Sequence, residues 1–256
     1  MYMKRYLLLF LACVNVSLAW GRDNNAEALP VDSVPERMPI AEYTFKPKQL
    51  ILPAALIGVG AAGHLIDDMK DYHLFRRGTR DKQVRIDDYL EWGMLGWVFA
   101  CDLMGKEKHN WVDQLMVVGL AEVLNAGMVQ GLKEVVDINR PDGKPHTFPS
   151  GHTSNAFLGA HIAYKEFRHS SPVLAYSGYA IASFVAASRI YNNRHWMADV
   201  VAGAGFGILS AELSYLIYFP VRNAIARNIN KKAADNWVIA PTMQSNSVGL
   251  YLSFRF

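Results

Sequence analysis

Two stretches decide how this chain reads: LKEVVDINRPDGKPHTFPSGHT, residues 132–153, and SRIYNNRHWMADV, residues 188–200. They set Lys133, Arg140-Pro141, Pro149-Ser150-Gly151-His152, Ser188-Arg189, His195 and Asp199 at fixed intervals. Each block falls where an apolar segment begins or ends. The segments are Leu50–Ile66, Tyr89–Leu103, Gln114–Leu132, Ser154–Tyr164, Val173–Ala187 and Met197–Phe219. Most are long for strands and none alternates apolar with polar, so helix is the expected state. The fold class that follows is all-α, a bundle of about six helices. Pro220 is expected to close the last one. Uncharged or nearly uncharged runs at 50–66, 114–132 and 173–187 favour a membrane bundle over a soluble one. Ala202, Gly203, Gly205 and Gly207 leave room for a neighbouring backbone to come close.

Outward from this core the composition is plain. Of 256 residues 19% are charged and the net charge is +3, too small to argue for nucleic acid. Mean hydropathy is +0.05, which alone does not separate membrane from soluble. The basic residues cluster at 70–85 and 222–232, which suits anionic headgroups or a membrane-orienting role. Residues 1–19, with Lys4, Arg5, an apolar run and Ser17-Leu18-Ala19, read as a secretory signal; an uncleaved first membrane helix is the alternative. Cys13 lies in that leader, which leaves Cys101 as the one thiol of the mature chain and no internal disulfide. Residues 20–47 read as an extended arm and 48–232 as the helical domain. Residues 233–256 read as a C-terminal β-hairpin with its turn at Ser245-Asn246-Ser247.

The blocks carry the chemistry. Lys133 and Arg140 are seven apart, on one helical face if the helix continues, and Pro141 is expected to stop it at Arg140. A basic flank of a membrane helix would look the same. Pro149-Ser150-Gly151-His152 precedes a helix whose first N–H groups and dipole favour an anion, although Ser and Gly there also make an ordinary cap. Asp199 lies four residues after His195, so its carboxylate accepts from one imidazole nitrogen and leaves the other free to attack; a surface His–Asp pair has the same spacing. Together, the cations neutralise a phosphoryl group, His195 attacks phosphorus in line, and His152 protonates the leaving oxygen. Three cations supply the charge, so no metal and no cofactor is expected.

These residues resemble the type 2 phosphatidic acid phosphatase (PAP2) superfamily, which also holds bacterial class A acid phosphatases and vanadium haloperoxidases. All three of its blocks are present over residues 133–199. The resemblance implies the helical haloperoxidase-like fold, His195 as nucleophile, Asp199 as its orienter and His152 as acid/base. It implies Lys133, Arg140, Ser150, Gly151 and Arg189 as phosphate binders. The FPSGHT block and Arg189–Leu209 also look like exported or membrane phosphatases of the Bacteroidetes type. Only Asp142–Phe148 separates the first two blocks, a short connection that favours a site open to a lipid headgroup, with Asp142, Lys144 and His146 at its rim.

The expected activity is therefore a metal-independent lipid phosphatase working through a phosphohistidine, and the resemblance suggests lipid A, at its 4′-phosphate, as the first candidate. Undecaprenyl pyrophosphate, phosphatidylglycerophosphate and phosphatidic acid are alternatives, as is a non-specific periplasmic acid phosphatase. Expected partners are a membrane and its phosphorylated lipid, with no nucleic acid and no obligate protein partner. Positive-inside reasoning puts Lys165–Ser171 and Arg222–Lys232 in the cytoplasm and the site on the periplasmic side of the inner membrane, with Tyr89–Leu103 not spanning; a soluble periplasmic or outer-membrane placement stays open. Three rivals stand against this reading. One is a zinc hydrolase using His146, His152, His195 and Asp199. Another is a haloperoxidase, and the third a membrane scaffold or transport protein with a relict site.

Overall fold

The computed structural model describes residues 38–66, 86–102, 108–234, 237–244 and 247–254. The leader, most of the arm and the basic stretch 67–85 lie outside the described residues.

Six helices are present among the described residues: α1 Ile51–Gly63, α2 Ile86–Asp102, α3 Trp111–Val135, α4 Gly151–Phe167, α5 Pro172–Tyr191 and α6 Met197–Ala234. They answer to the six apolar segments. α3 starts where Asn110 caps it by accepting from the Asp113 N–H at 2.8 Å. Pro172 opens α5 at a position where its missing N–H costs nothing.

Two expected ends are corrected. α3 stops at Val135, and Val136 is already extended. Lys133 and Arg140 therefore do not share a helical face, and Arg140 reaches the site on a loop. α6 does not end at Pro220 but runs through it to Ala234. A proline inside a helix forfeits one hydrogen bond and crowds a carbonyl four residues back. Here the turns beyond it are anchored by Arg222, which donates to the Pro39 carbonyl at 2.7 Å, and by Asn223, which exchanges hydrogen bonds with Ala41.

The chain falls into two compact units. The smaller joins residues up to Tyr43 to those from Phe219 on. In it Tyr43 stacks on Phe219 at 5.4 Å, and Asn230 holds both the N–H and the carbonyl of Met38. It also contains an antiparallel hairpin, β1 Trp237–Gln244 with β2 Ser247–Phe254. The register pairs Trp237 with Phe254, Ile239 with Leu252, Pro241 with Leu250 and Met243 with Val248.

The larger unit, Thr44–Tyr218, holds the bundle. One apolar cluster joins α2, α4 and α5 through Met94, Ala156, Ala160, Ala182 and Val185. A second, of Val129, Phe148, Ala202 and Phe206, joins α3, α6 and the loop before α4. α6 is the central helix: 72% of its apolar window is buried, against 28% on α3 and 33% on α5. By length and composition these three helices are long and apolar enough to cross a membrane. Their outward apolar residues, among them Met116, Val123, Val173 and Phe184, would otherwise face water.

Glycine closes the distance between backbones. A Cβ on Gly203 would lie 2.6 Å from the Ser150 carbonyl, so only glycine lets the start of α4 sit on α6. Gly60 does the same for α1, where a Cβ would lie 2.6 Å from the Ala198 carbonyl.

Candidate active site

The end of α3, the start of α4, the end of α5 and the start of α6 meet at one end of the bundle. The Ser150 N–H donates to the Asp199 carbonyl at 3.0 Å, which ties the second block to the third. Lys133 Nζ donates to the His146 carbonyl at 3.1 Å, which ties the first block to the loop before the second. That loop is a tight reversal. Arg140 N–H donates to the Lys144 carbonyl at 2.7 Å, Gly143 sits at φ 82°, and His146 holds φ 57°. A histidine rarely adopts such a backbone angle, so local pairing fixes it.

Asp199 is fully buried. Its Oδ2 accepts from the Trp196 N–H at 2.7 Å and from the Thr147 hydroxyl. Its Oδ1 faces His64 Nε2 at 2.7 Å. The carboxylate at the start of α6 also answers the helix dipole there. His195, buried, brings Nδ1 to 3.5 Å from Asp199 Oδ2 and to 3.2 Å from Thr147 Oγ1. Thr147 has one proton and gives it to Asp199, so it meets His195 as an acceptor. His195 Nδ1 is then the protonated nitrogen, and Nε2 keeps its lone pair. Burial pushes this imidazole down to about 4; Asp199 opposes the shift, and Lys133 and Arg189 add to it.

Arg189 is buried at the end of α5 and donates to Asp87 at 2.8 Å and to Asp88 at 3.3 Å, both on the first turn of α2. Asp88 also meets His152 Nε2 at 3.1 Å, and Glu91 meets it at 3.0 Å. His152 and Arg189 are thus neighbours across one carboxylate. Arg140 lies within electrostatic reach of Arg189, Arg194 and Asp199; burial draws its guanidinium below the ordinary value, and Asp142 opposes this. The Nε groups of Arg140 and Arg189 are both buried with no hydrogen-bond acceptor among the described residues. Two such donors at one site are what a tetrahedral oxyanion satisfies.

Every residue expected at the site is at this end, but not each in the expected posture. The Ser150 hydroxyl turns to Thr153 Oγ1 at 3.0 Å rather than outward. Gly151 is the first helical residue, and a Cβ there would meet only Val129 at an ordinary 3.7 Å, so its backbone does not demand glycine. Asp142, Lys144 and His146 are exposed on the loop. His146, His152, His195 and Asp199 do not gather into a metal-ligand group among the described residues. Sequence reasoning missed Thr147, His64 and the acids Asp87 and Asp88. Thr147 sits inside the quoted stretch. His64 was visible only as a lone histidine in an apolar run, and the two acids as the start of a helix.

Residues 130–222 match the PAP2 superfamily. They are a PAP2 superfamily domain. Over 114 residues the chain is 43% identical to the lipid A 1-phosphatase of Porphyromonas gingivalis, which covers 44% of this chain and 25% of that protein. Over 110 residues it is 34% identical to phosphatidylglycerophosphatase B of Bacillus subtilis, 37% of this chain and 51% of that one. The chain thus spans about a quarter and about half of the lengths of these two curated relatives. Among solved structures, Aquifex aeolicus LpxE superposes with a TM-score of 0.40 at 19% identity, over 69% of this chain and 98% of that chain. A transmembrane PAP2-type phosphatidylglycerolphosphate phosphatase from Bacillus subtilis superposes with a TM-score of 0.32 at 20% identity, over 74% and 80%. The PAP2 match contains every site residue named above from Lys133 to Asp199; His64, Asp87 and Asp88 lie before it.

Proposed function

We propose that this PAP2 domain is a metal-independent phosphatase that hydrolyses a phosphomonoester or pyrophosphate of a membrane lipid through a phosphohistidine. The observation that carries the reading is the pairing of a tautomer-fixed His195 with the buried Nε groups of Arg140 and Arg189, which have no acceptor among the described residues. Lys133, Arg140 and Arg189 hold the phosphoryl oxygens, and the N–H groups of the first turn of α4, from Gly151 on, add neutral donors, the Ser150 N–H being taken by the Asp199 carbonyl. His195 Nε2 attacks phosphorus, the ester P–O bond breaks, and His152 gives its proton to the leaving alkoxide. Water then attacks phosphorus with His152 taking its proton, the P–N bond breaks to free His195 Nε2, and inorganic phosphate leaves. Asp199 stabilises the imidazolium that forms.

The substrate is a lipid because the flanking helices are membrane-grade and the relatives are named for lipid phosphates. Lipid A is the first candidate, with the 4′-phosphate suggested by the family resemblance set against the 1-phosphate named for the Porphyromonas protein. The site is proposed to face the periplasm from the inner membrane. Access of an impermeant thiol reagent to Asp71→Cys and His146→Cys in intact cells tests this, and equal labelling of both would refute it.

The deciding experiment is phosphate release, in the presence of EDTA, from a panel of lipid A phosphorylated at either end, undecaprenyl pyrophosphate, phosphatidylglycerophosphate and phosphatidic acid. Wild type releases phosphate and His195→Ala does not. Turnover that vanishes with EDTA would replace this reading by the zinc one.

A further inference from the structure

His64 stands outside the three blocks and outside the PAP2 match, yet it touches the fully buried Asp199. It follows α1 directly and lies four residues after Gly60, on the same helical face. Gly60 meets α6 backbone to backbone at Ala198 and Ala202. That contact carries His64 over the first turn of α6, where its Nε2 lies 2.7 Å from Asp199 Oδ1. The ring is held edge-on by Phe148 at 5.2 Å and is nearly buried, with 8% of its side chain exposed. A carboxylate only accepts, so Nε2 of His64 is the donor.

The two carboxylate oxygens are therefore divided. Oδ1 takes His64; Oδ2 takes the Thr147 hydroxyl and the Trp196 N–H and faces His195. We propose that His64 is a positioning residue for His195: by holding Oδ1 of Asp199 it stops the carboxylate from rotating, keeps Thr147 donating to Oδ2, and so holds the proton of His195 on Nδ1. The χ2 torsion of an aspartate is broad and two-fold, so a carboxylate released at Oδ1 samples other settings. Thr147 then loses its fixed direction, and the tautomer with Nε2 protonated, which cannot attack, becomes populated. Outer partners that orient metal-bound histidines are worth about 10–100-fold in activity, and the same scale is expected for a partner that orients this carboxylate.

The proposal rests on the phosphohistidine reading, and two kinds of measurement keep the two apart. In the first, His64→Leu lowers kcat by about 10–100-fold with KM within about twofold, because His64 does not touch the phosphate. His64→Gln places an amide nitrogen where Nε2 was and stays within about fivefold of wild type. His64→Asn offers the same group one bond short and behaves like His64→Leu, which keeps the test alive if the leucine variant does not fold. Equal kcat for the Gln and Asn variants would overturn the proposal. The second needs no turnover: imidazole ¹⁵N NMR of His195 shows a single Nδ1–H tautomer in wild type and His64→Gln, and a mixture in His64→Leu or His64→Asn. A single Nδ1–H tautomer in all four would also overturn it. Failure of wild type to release phosphate from every lipid in the panel would instead sink the phosphatase reading and leave the ¹⁵N result standing by itself.

Discussion

The bundle buries histidine–carboxylate pairs at both of its ends, and the two ends do not behave alike. At the end where α4 starts, His195, His64 and Thr147 crowd Asp199, with Lys133, Arg140 and Arg189 close by. Toward the end where α4 finishes, Glu212 takes His161 at 2.7 Å and Lys165 at 2.6 Å on its two oxygens. Glu166 there accepts from the His109 N–H at 3.0 Å, from the His109 ring and from the Tyr215 hydroxyl. In that second group a carboxylate has a cation or a hydroxyl of its own. In the first, two guanidinium nitrogens are buried with no acceptor among the described residues. A buried network whose carboxylates each hold a cation or a hydroxyl fastens helices together; one with guanidinium donors to spare is set for an anion. The same residue types thus divide into fastening and chemistry by the bookkeeping of donors.

The widest separation between the ends comes from removing a histidine at the site. His195→Ala is expected to lower phosphate release from the best lipid by at least about 10⁴-fold while the protein stays folded. Next come the spare donors. Arg140→Lys and Arg189→Lys each keep a charge but lose the planar fork and its Nε, and each is expected to cost about 10²–10³-fold in kcat/KM. Full activity in either lysine variant would mean that bulk charge, not the unpartnered nitrogens, holds the phosphate. Glu212→Ala inverts the pattern. It removes the carboxylate that pairs His161 and Lys165 in the interior, at a cost of about 3–5 kcal/mol in stability. Turnover per folded molecule, measured against a thermal melt in detergent, is expected within about threefold of wild type. A large fall in kcat at unchanged stability would put the second network into the chemistry.

How much of this was legible in the sequence follows from what each feature depends on. The helices announced themselves because long apolar runs admit few other states. The three blocks were legible because their spacing is fixed by where helices end. The reach of Arg140 was misread: the sequence gives no sign that Val136 leaves the helix, since the pull comes from the Thr147 N–H donating to the Ile138 carbonyl across the loop. Pro220 was misread because a local helix-breaking rule was set against anchors nearly two hundred residues away, at Pro39 and Ala41. His64 was invisible because its partner is 135 positions distant and the contact exists only where Gly60 lets α1 reach α6.

The smallest expected effect is on pH dependence, and it bears on the site end alone. Burial holds His195 near 4 in the folded protein, while an exposed histidine titrates near 6.5. Between those values the unfolded chain binds the proton and the folded chain does not, so stability falls as pH drops through that window and levels off below about 4. Above about pH 6.5 both states are neutral at this position and the contribution is flat. The melting temperature of wild type, followed from pH 7 to 4 beside that of His195→Ala, should therefore drop more steeply for wild type, the difference between the two curves isolating this one imidazole. Titration of the His195 ¹⁵N signals gives the same quantity directly. A midpoint near 6.5 would mean that the buried ring is reached by water or by a compensating charge, and the nucleophile would then be half protonated at that pH instead of ready for phosphorus.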